Sequence, residues 1–531
     1  MADTKREIER KYELPESLDG PQAGDRTWLA DLTQVKAVSA VVHQGVSELD
    51  AVYYDTADLR LTADSRTLRR RTGGADAGWH LKFPVSTGIR DEIQAPLAET
   101  VPPELSALLR SRIRRAELIP VVRLRTARDV THLLDADGAL LAEVSVDAVR
   151  AVRLTAHPAT ASWTEVEVEL ADDGDPAFLD AVEKKLRKAG LRPAAAASKL
   201  ARALAETAPE GADGPQPGET VPTPPDTVPV PDSVPAPATA GDHVLAYLRT
   251  QADVIVAQDP AVRRDLPDSV HQLRVATRRM RSAFRTYRQI LDRSVTDPIA
   301  EELKWLAGEL GIDRDHEVLD ERLGARLDAV PETLLLGPVR ARLRMWSVAQ
   351  RAGSRSSTLA VLDSERYLSL LDTLDALLAD PPLRPAAAGP PGKVLPRAVL
   401  KDYDRLAGRV AHALALAPGE ERDVALHNAR KAAKRARYAA EAVRPALGKP
   451  AQRLAKRMKA VQTVLGDHQD SVVARDALRS LAIQAHAAGE SAFTWGLLYG
   501  REEAQADRRE KELPEVWAKA SARKWRAALT R

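Results

Sequence analysis

The rhythm of hydrophobic and polar positions changes once along the chain. Over residues 1–207 short segments alternate with period two, as in strands whose side chains point to opposite faces. Over residues 242–531 long Ala-, Leu- and Arg-rich segments repeat with a period near 3.6, as in amphipathic helices. Between them, Pro209 to Pro237 holds ten prolines among Gly, Thr, Val, Asp and Ala, with neither rhythm. Such a stretch buries too little surface to fold and reads as an extended linker over 208–241. The pattern predicts an α+β chain of two domains, the first β-rich and the second all-α.

Composition agrees with this division. A chain of 531 residues is too long for one ordinary core. Its 44% hydrophobic and 29% charged residues fit a soluble globular protein. No apolar run is long enough to span a bilayer, and the charged N-terminus lacks the apolar stretch of a signal peptide. The expected location is cytoplasmic. Cysteine is absent, which excludes disulfides and thiolate metal sites. The net charge of +2 hides segregation: His271 to Arg288 contains six arginines and no acid, and His427 to Ala440 contains five Lys/Arg and no acid.

In the first region the alternating face is charged on strand after strand. Glu7, Glu9 and Lys11 share one side, as do Arg69 and Arg71, His80 and Lys82, and Arg123 and Arg125. Glu143, Ser145 and Asp147 alternate with Val144 and Val146, and Glu165, Glu167 and Glu169 alternate with Val166 and Val168. A single polar strand face is ordinarily a solvated one. Here most strands agree, and some carry only carboxylates while others carry only Arg or Lys. If the strands close into a barrel, these faces line a polar channel and the Val/Leu faces pack outward against helices. Clustered carboxylates with little His select a hard cation, Mg²⁺ or Mn²⁺. Facing Arg and Lys match phosphate oxygens.

The segment Glu7-Ile8-Glu9-Arg10-Lys11 resembles the ExExK signature of the CYTH, or triphosphate tunnel metalloenzyme, superfamily. Tyr53-Tyr54-Asp55-Thr56, Leu68-Arg69-Arg70-Arg71, Trp79-His80-Leu81-Lys82, the Glu165–Glu169 segment and Ser198-Lys199-Leu200 follow in the family's order. The resemblance implies a closed eight-stranded antiparallel tunnel barrel with flanking helices. By position it makes Glu7, Glu9, Asp147, Glu165, Glu167 and Glu169 the metal-side carboxylates. It makes Lys11, Arg69, Arg71, Lys82, Arg123, Arg125 and Lys199 the phosphate contacts, with Glu7, Glu9, Lys11, Glu165 and Glu167 as the catalytic set. Glu143 and Arg90 are candidates for structural ion-pair partners in the tunnel.

The second region repeats itself. His271-Gln272-Leu273-Arg274 with Arg278, Arg279 and Arg281 matches His427-Asn428-Ala429-Arg430 with Lys434, Arg435 and Arg437, at an offset of 427 − 271 = 156. Leu310-Gly311 with Arg314-Asp315 matches Leu465-Gly466 with Gln469-Asp470. On a helical wheel His271, Arg274, Arg278, Arg281 and Arg285 form one stripe, and His427, Arg430, Lys434 and Arg437 form its counterpart. Apolar residues lie opposite both. Solvated helix faces normally interleave acids with bases, so these acid-free stripes call for an anionic ligand. Few aromatics accompany them, which disfavours nucleic acid. His271 and His427 sit among cations that would repel a metal; His316 and His468 read as local helix-end partners of Asp315 and Asp470.

These motifs resemble the CHAD domain, which implies two pseudo-symmetric four-helix bundles and a basic surface for inorganic polyphosphate. Lys304 and Lys459 occupy matching positions and extend that surface. Gln469 in place of Arg314 implies that the two halves need not bind equally. The leading expectation is a metal-dependent triphosphatase acting on inorganic triphosphate or short polyphosphate, with the helical domain binding polyphosphate and associating the protein with polyphosphate granules. The rivals are a non-catalytic polyphosphate-binding protein, an adenylate cyclase, and a thiamine or nucleoside triphosphatase using the same tunnel.

Overall fold

The computed structural model describes residues 3–14, 27–155, 158–208, 237–351 and 354–530, without the side chains of 3, 27, 30, 312–315, 350, 351 and 354. Most of the Pro-rich segment, and the side chains of Arg314 and Asp315, therefore lie outside the described residues. The chain forms two compact units, Met1–Asp232 and Ser233–Arg531.

The first unit is built on β1 (Asp3–Glu13), β2 (Ala40–Asp55), β3 (Thr67–Thr72), β4 (Gly78–Ser86), β5 (Ile89–Ala95), β6 (Ile119–Leu134), β7 (Leu140–Arg153) and β8 (Thr160–Leu170). All pairs are antiparallel, in the order β5-β4-β3-β2-β6-β7-β8-β1, and β5 pairs with β1 to close the eight-stranded barrel. A two-residue strand, β9 (Arg192–Pro193), adds to the end of β1.

Helices cover the apolar outer faces as the alternation predicts. Trp79, Leu81, Phe83 and Ile93 meet Leu105, Leu108 and Leu109 of a helix at Pro103–Ile113. Val144, Val146, Val166 and Val168 form a second cluster with Leu179, Val182 and Leu186 of Ala177–Lys188, whose i, i+3, i+7 spacing puts all three on one stripe. Each such buried Leu or Val is worth about 1.5–3 kcal/mol relative to exposure.

The helix Lys199–Glu206 is different, because it enters the barrel. Leu200, Ala203 and Leu204 pack with Ala51, Tyr53, Val122, Leu124, Val149, Ala151 and Trp163, all on the strand faces that carry the interior charges further along. One end of the tunnel is thereby filled with apolar side chains. Ser198 caps this helix by accepting from Ala201 N at 3.1 Å, which is worth about 1 kcal/mol and sets Lys199 at its first turn.

The second unit is all-helical. We number the helices used below α1 (Ala240–Arg263), α2 (Ser269–Thr286), α3 (Arg293–Glu309), α4 (Gly311–Asp328), α5 (Val339–Arg351), α6 (Pro391–Ala415), α7 (Glu420–Ala442), α8 (Arg444–Ala487) and α9 (Phe493–Ala520). Their apolar faces gather in two cores, each drawing on both sequence repeats. The larger includes α1, α2 and α3 with α6, α7 and the first half of α8. The smaller joins α4 and α5 to the second half of α8 and to α9. Among the described residues no helix is long and apolar enough to cross a membrane.

Candidate functional site

Strand register brings the charged faces together inside the barrel. Residues directly opposite on paired strands share a face. Glu9 lies opposite Glu169 and Lys11 opposite Glu167. Glu167 faces Ser145, Glu165 faces Asp147, and Asp147 faces Arg128. On the other side Arg69 lies opposite Tyr53 and His80, while Lys82 lies opposite Glu92. A cavity is lined by Glu7, Glu9, Lys11, Arg69, Arg71, Lys82, Arg90, Glu92, Arg128, Glu167, Glu169 and Lys199.

The lining is a two-sided lattice of ion pairs. Lys82 bonds Glu7 at 2.5 Å, and Glu92 receives His80 at 2.8 Å with Arg69 at 3.6 Å and Lys82 at 3.7 Å. Opposite, Lys199 reaches Glu167 at 2.6 Å, Glu165 at 2.8 Å and Asp147 at 2.9 Å. Arg128 bonds Asp147 at 2.6 Å and Glu167 at 2.8 Å, and Lys11 pairs with Glu167 and, at 3.3 Å, with Glu9. Glu169 at the rim pairs with Lys5 at 2.8 Å, and Arg71 with Asp76. Glu7, Glu9, Glu92, Asp147, Glu165, Glu167, Arg71 and Lys199 are all buried.

Burial and its neighbours set the protonation of this lattice. Burial pushes the Glu7 carboxyl up to about 7, Lys82 opposes the rise, and the adjoining Glu92 reinforces it. Burial also works against the Lys199 ammonium, but Asp147, Glu167 and Glu165 hold it protonated well above the ordinary lysine range. Glu167 is held well below the usual carboxylate range against its own burial by Lys11, Lys199 and Arg128.

Most expected tunnel residues meet here, with four exceptions. Arg123 and Arg125 lie on the outer face of β6, 42% and 64% exposed, and pair with Asp50 on the same outer face. Their neighbour Leu124 points inward because the helix Lys199–Glu206 makes that end of the barrel apolar. Asp147 and Glu165 do not front the cavity; they hold Lys199, and Trp163 Nε1 donates to Glu165 at 2.6 Å. Arg90 approaches Glu9 at 3.6 Å, and Glu143 pairs with His132 at 3.4 Å, so the two do not pair with each other.

Arg128 and Glu92 were not singled out from sequence. Glu92 carried a readable signal, since Arg90, Glu92 and Gln94 alternate with the outward Ile89, Asp91 and Ile93. The Tyr53-Tyr54-Asp55-Thr56 motif has a structural explanation too. Buried Asp55 accepts from the backbone N–H of Thr56, Leu61 and Thr62 and from the Thr62 hydroxyl, all within 2.9 Å. This fixes the turn that aims β3, with Arg69 and Arg71, into the tunnel.

In the helical unit, Arg278 of α2 and Lys434, Arg430 and Arg437 of α7 form one cationic neighbourhood, with Asp470 of α8 beside it. Burial, then Arg430 and Arg278, push the Lys434 ammonium down to about 7. Arg274 donates to Gly311 O at 3.2 Å, and Arg430 reaches Asp470 at 3.3 Å. A Cβ on Gly311 would stand 2.7 Å from the Arg274 guanidinium, whereas one on Gly466 would meet Arg430 at an ordinary 3.6 Å. The repeats therefore share a design and differ in tightness. Half-buried His271 opens α2. Burial and Lys431 hold the His427 pKa down against a hydrogen bond to Gln469 that favours the protonated ring. Arg281 lies near Arg285, Lys304 pairs with Glu301 at 2.8 Å, and Lys459 is exposed on α8.

His468 is not a local partner of Asp470. It is buried between α7 and α9, bonding Glu510 at 3.1 Å and Asp423 at 3.3 Å. Those three side chains have the spacing of a metal-ligand set, yet Arg475 pairs with Asp423 and Arg422 with Glu510.

This architecture is a charged-lined barrel followed by a basic, internally repeated helical unit. The CYTH domain model matches residues 5–204 and the CHAD domain model residues 246–479. An uncharacterised protein of Mycobacterium tuberculosis is 37% identical over 528 residues, covering 96% of this chain and 94% of its own. The chain belongs to the CYTH–CHAD family. Similar solved structures include the CHAD domain from the plant Ricinus communis, at 27% identity and TM-score 0.43, over 55% of this chain and 94% of its own. PptA from Streptomyces chartreusis is 24% identical with TM-score 0.46, over 53% of this chain and all of its own. A Hippeastrum protein with a dominant triphosphatase activity is 18% identical with TM-score 0.25, over 38% of this chain and 96% of its own.

Proposed function

We propose that residues 1–207 hydrolyse inorganic triphosphate or short polyphosphate with Mg²⁺ or Mn²⁺, and that residues 242–531, joined by the 208–241 linker, bind inorganic polyphosphate. The observation that carries this reading is the closed barrel in which Lys11, Arg69, Arg71, Lys82, Arg128 and Lys199 face one cavity together with Glu7, Glu9, Glu92 and Glu167.

The donors suit a hard divalent cation in type, since all are carboxylate oxygens, and Glu7, driven up to about 7 mainly by burial and further by Glu92, is a carboxyl whose charged form a cation would favour. Glu7, Glu9 and Glu167, with Glu169 at the rim, would hold it, and Asp147 and Glu165 brace the set through Lys199. When bound, the cation withdraws charge from the phosphate chain and favours attack of water on phosphorus. The protein's own cations grip the chain. Each is paired with a carboxylate, so phosphate oxygens would take over existing cationic partners, and the carboxylates released would be those left to hold the divalent cation. Arg69, Arg71 and Arg128 supply planar forks for bidentate contact, and the half-buried Lys11 and Lys82 and the buried Lys199 supply point charges. The reaction consumes one water and releases phosphate, leaving pyrophosphate from triphosphate. Polyphosphate held on the helical unit would keep the protein at cytoplasmic polyphosphate granules.

Product analysis by ³¹P NMR with inorganic triphosphate, thiamine triphosphate and ATP tests the reaction class. Phosphate and pyrophosphate from triphosphate support hydrolysis; cyclic AMP with pyrophosphate from ATP overturns it in favour of a cyclase.

A further inference from the structure

The two sequence repeats of the helical unit differ by a charge reversal at one related position. With the offset of 156, Arg279 corresponds to Arg435 and Arg285 corresponds to Glu441. In one half Glu441 stands among the arginines, meeting Arg437 at 3.2 Å and Arg279 at 3.3 Å, and both guanidinium groups lie over Tyr438. That side is neutralised and filled.

In the other half the residue at the Glu441 position is Arg285, which adds a charge to its neighbours where Glu441 neutralises them. Arg435 turns instead to Asp402, a floor residue only 4% exposed, at 2.9 Å, with Arg405 at 3.1 Å and Thr286 at 2.5 Å on the same carboxylate. The result is a cavity of about 290 Å³ lined by Arg285, Arg288, Arg293, Arg405 and Arg435, against Asp297 and Glu301. Asp297 is engaged by Arg293 at 2.6 Å and Glu301 by Lys304 at 2.8 Å, so both rim acids are already paired.

We propose that this cavity, formed between α2, α3, α6 and α7, is a pocket for a compact condensed phosphate of pyrophosphate size, which shares only Arg285 with the α2 and α7 stripes. Five arginines line a space at the small end of ligand pockets, with Arg293 shared with Asp297 and Arg405 and Arg435 shared with Asp402, and that density of guanidinium donors suits several phosphoryl oxygens on one small anion. Ala300 is its one apolar lining residue and no aromatic faces it, so it offers no platform for a nucleobase. Its volume of about 290 Å³ admits a short ion or a chain end. The inference rests on the charge and shape of the cavity and needs no turnover in the barrel.

The experiment uses the full chain in EDTA, titrated calorimetrically with sodium pyrophosphate and, separately, with long-chain polyphosphate. The variants are Arg288→Ser/Arg293→Ser, the single Arg293→Ser, and Arg279→Ser at the related position of the filled half. Arg288 and Arg293 are at least partly exposed, so folding is retained, with circular dichroism as the control. A site is expected at which pyrophosphate binds at least about tenfold more weakly in the double variant, given the cost of losing charged hydrogen bonds. The same site persists in Arg279→Ser and in the tunnel variant Lys199→Ala, and long-chain polyphosphate affinity stays within about twofold because these are rim charges. Unchanged pyrophosphate binding in the double variant overturns the pocket, as does an equal loss for both ligands, which would make it part of one continuous surface. A wild-type chain that binds pyrophosphate but no long polyphosphate leaves the pocket standing and removes the polyphosphate reading.

Discussion

Arg128 on β6 lies directly opposite Asp147 on β7 and holds it inside the barrel through two parallel hydrogen bonds, of 2.8 and 2.6 Å. Its second nitrogen also reaches Glu167 at 2.8 Å, so one guanidinium links a fully buried carboxylate to one that fronts the cavity. Five residues earlier, Arg123 makes a similar fork to Asp50 on the outside of the same strand.

Arginines on one strand should therefore differ sharply in function. Arg128→Ala is expected to lower kcat/KM for triphosphate by about 100-fold or more, as removal of a buried charge-stabilising donor does. Arg123→Ala and Arg125→Ala, at exposed ion pairs, should stay within about twofold. Steady-state phosphate release for the three variants checks this.

Asp55 fixes the approach to β3 by accepting four hydrogen bonds while fully buried. Asp55→Ala leaves those donors unpaired and should destabilise the barrel unit by about 3 kcal/mol. Urea unfolding followed by tryptophan fluorescence reads the change.

His468 gives the helical unit a pH-dependent stability. Burial alone would lower its pKa, but hydrogen bonds to Asp423 and Glu510 raise it above its ordinary 6.5. The protonated ring is favoured by folding, so its contribution is complete below pH 6.5 and is lost as pH rises through the folded-state value. Thermal unfolding at intervals upward from pH 6.5 should show this loss, and His468→Gln should remove that part of the slope.

Lys434 should couple the proposed polyphosphate binding to pH with a defined sign. The groups facing it are Arg430 and Arg437 on α7, Arg278 on α2 and Asp470 on α8. Its amine is depressed to about 7, so folding favours the neutral form, and that stability is lost as pH falls through about 7. A polyanion favours the charged form, so affinity for long-chain polyphosphate should rise several-fold as pH falls from about 8 to about 6. Lys434→Met should flatten this dependence in the same titration.

How much of this was legible follows from where the alternation holds. The ExExK strand, the Arg69/Arg71 and His80/Lys82 pairs and the Glu165–Glu169 strand all turn the charged residues singled out from sequence inward, although Arg6, Arg10 and Arg70 on the same strands point outward to ion-pair and backbone partners. The rule inverts on β6, because the helix Lys199–Glu206 occupies one end of the tunnel and turns Val122 and Leu124 inward, sending Arg123 and Arg125 out. A period-two pattern gives which residues share a face, and only a tertiary contact says which face is inside. The helical stripes were visible from their missing acids, but the Glu441–Arg285 reversal and the partners of His468 depend on contacts between helices far apart in sequence.

The most direct test of the tunnel as a hydrolytic site is phosphate release from inorganic triphosphate with Mg²⁺ or Mn²⁺, in the wild-type chain and in Glu7→Ala/Glu9→Ala. The prediction is metal-dependent release that falls by about 100-fold or more in the double variant. No release with either metal while long-chain polyphosphate still binds, or equal release by the double variant, would contradict it.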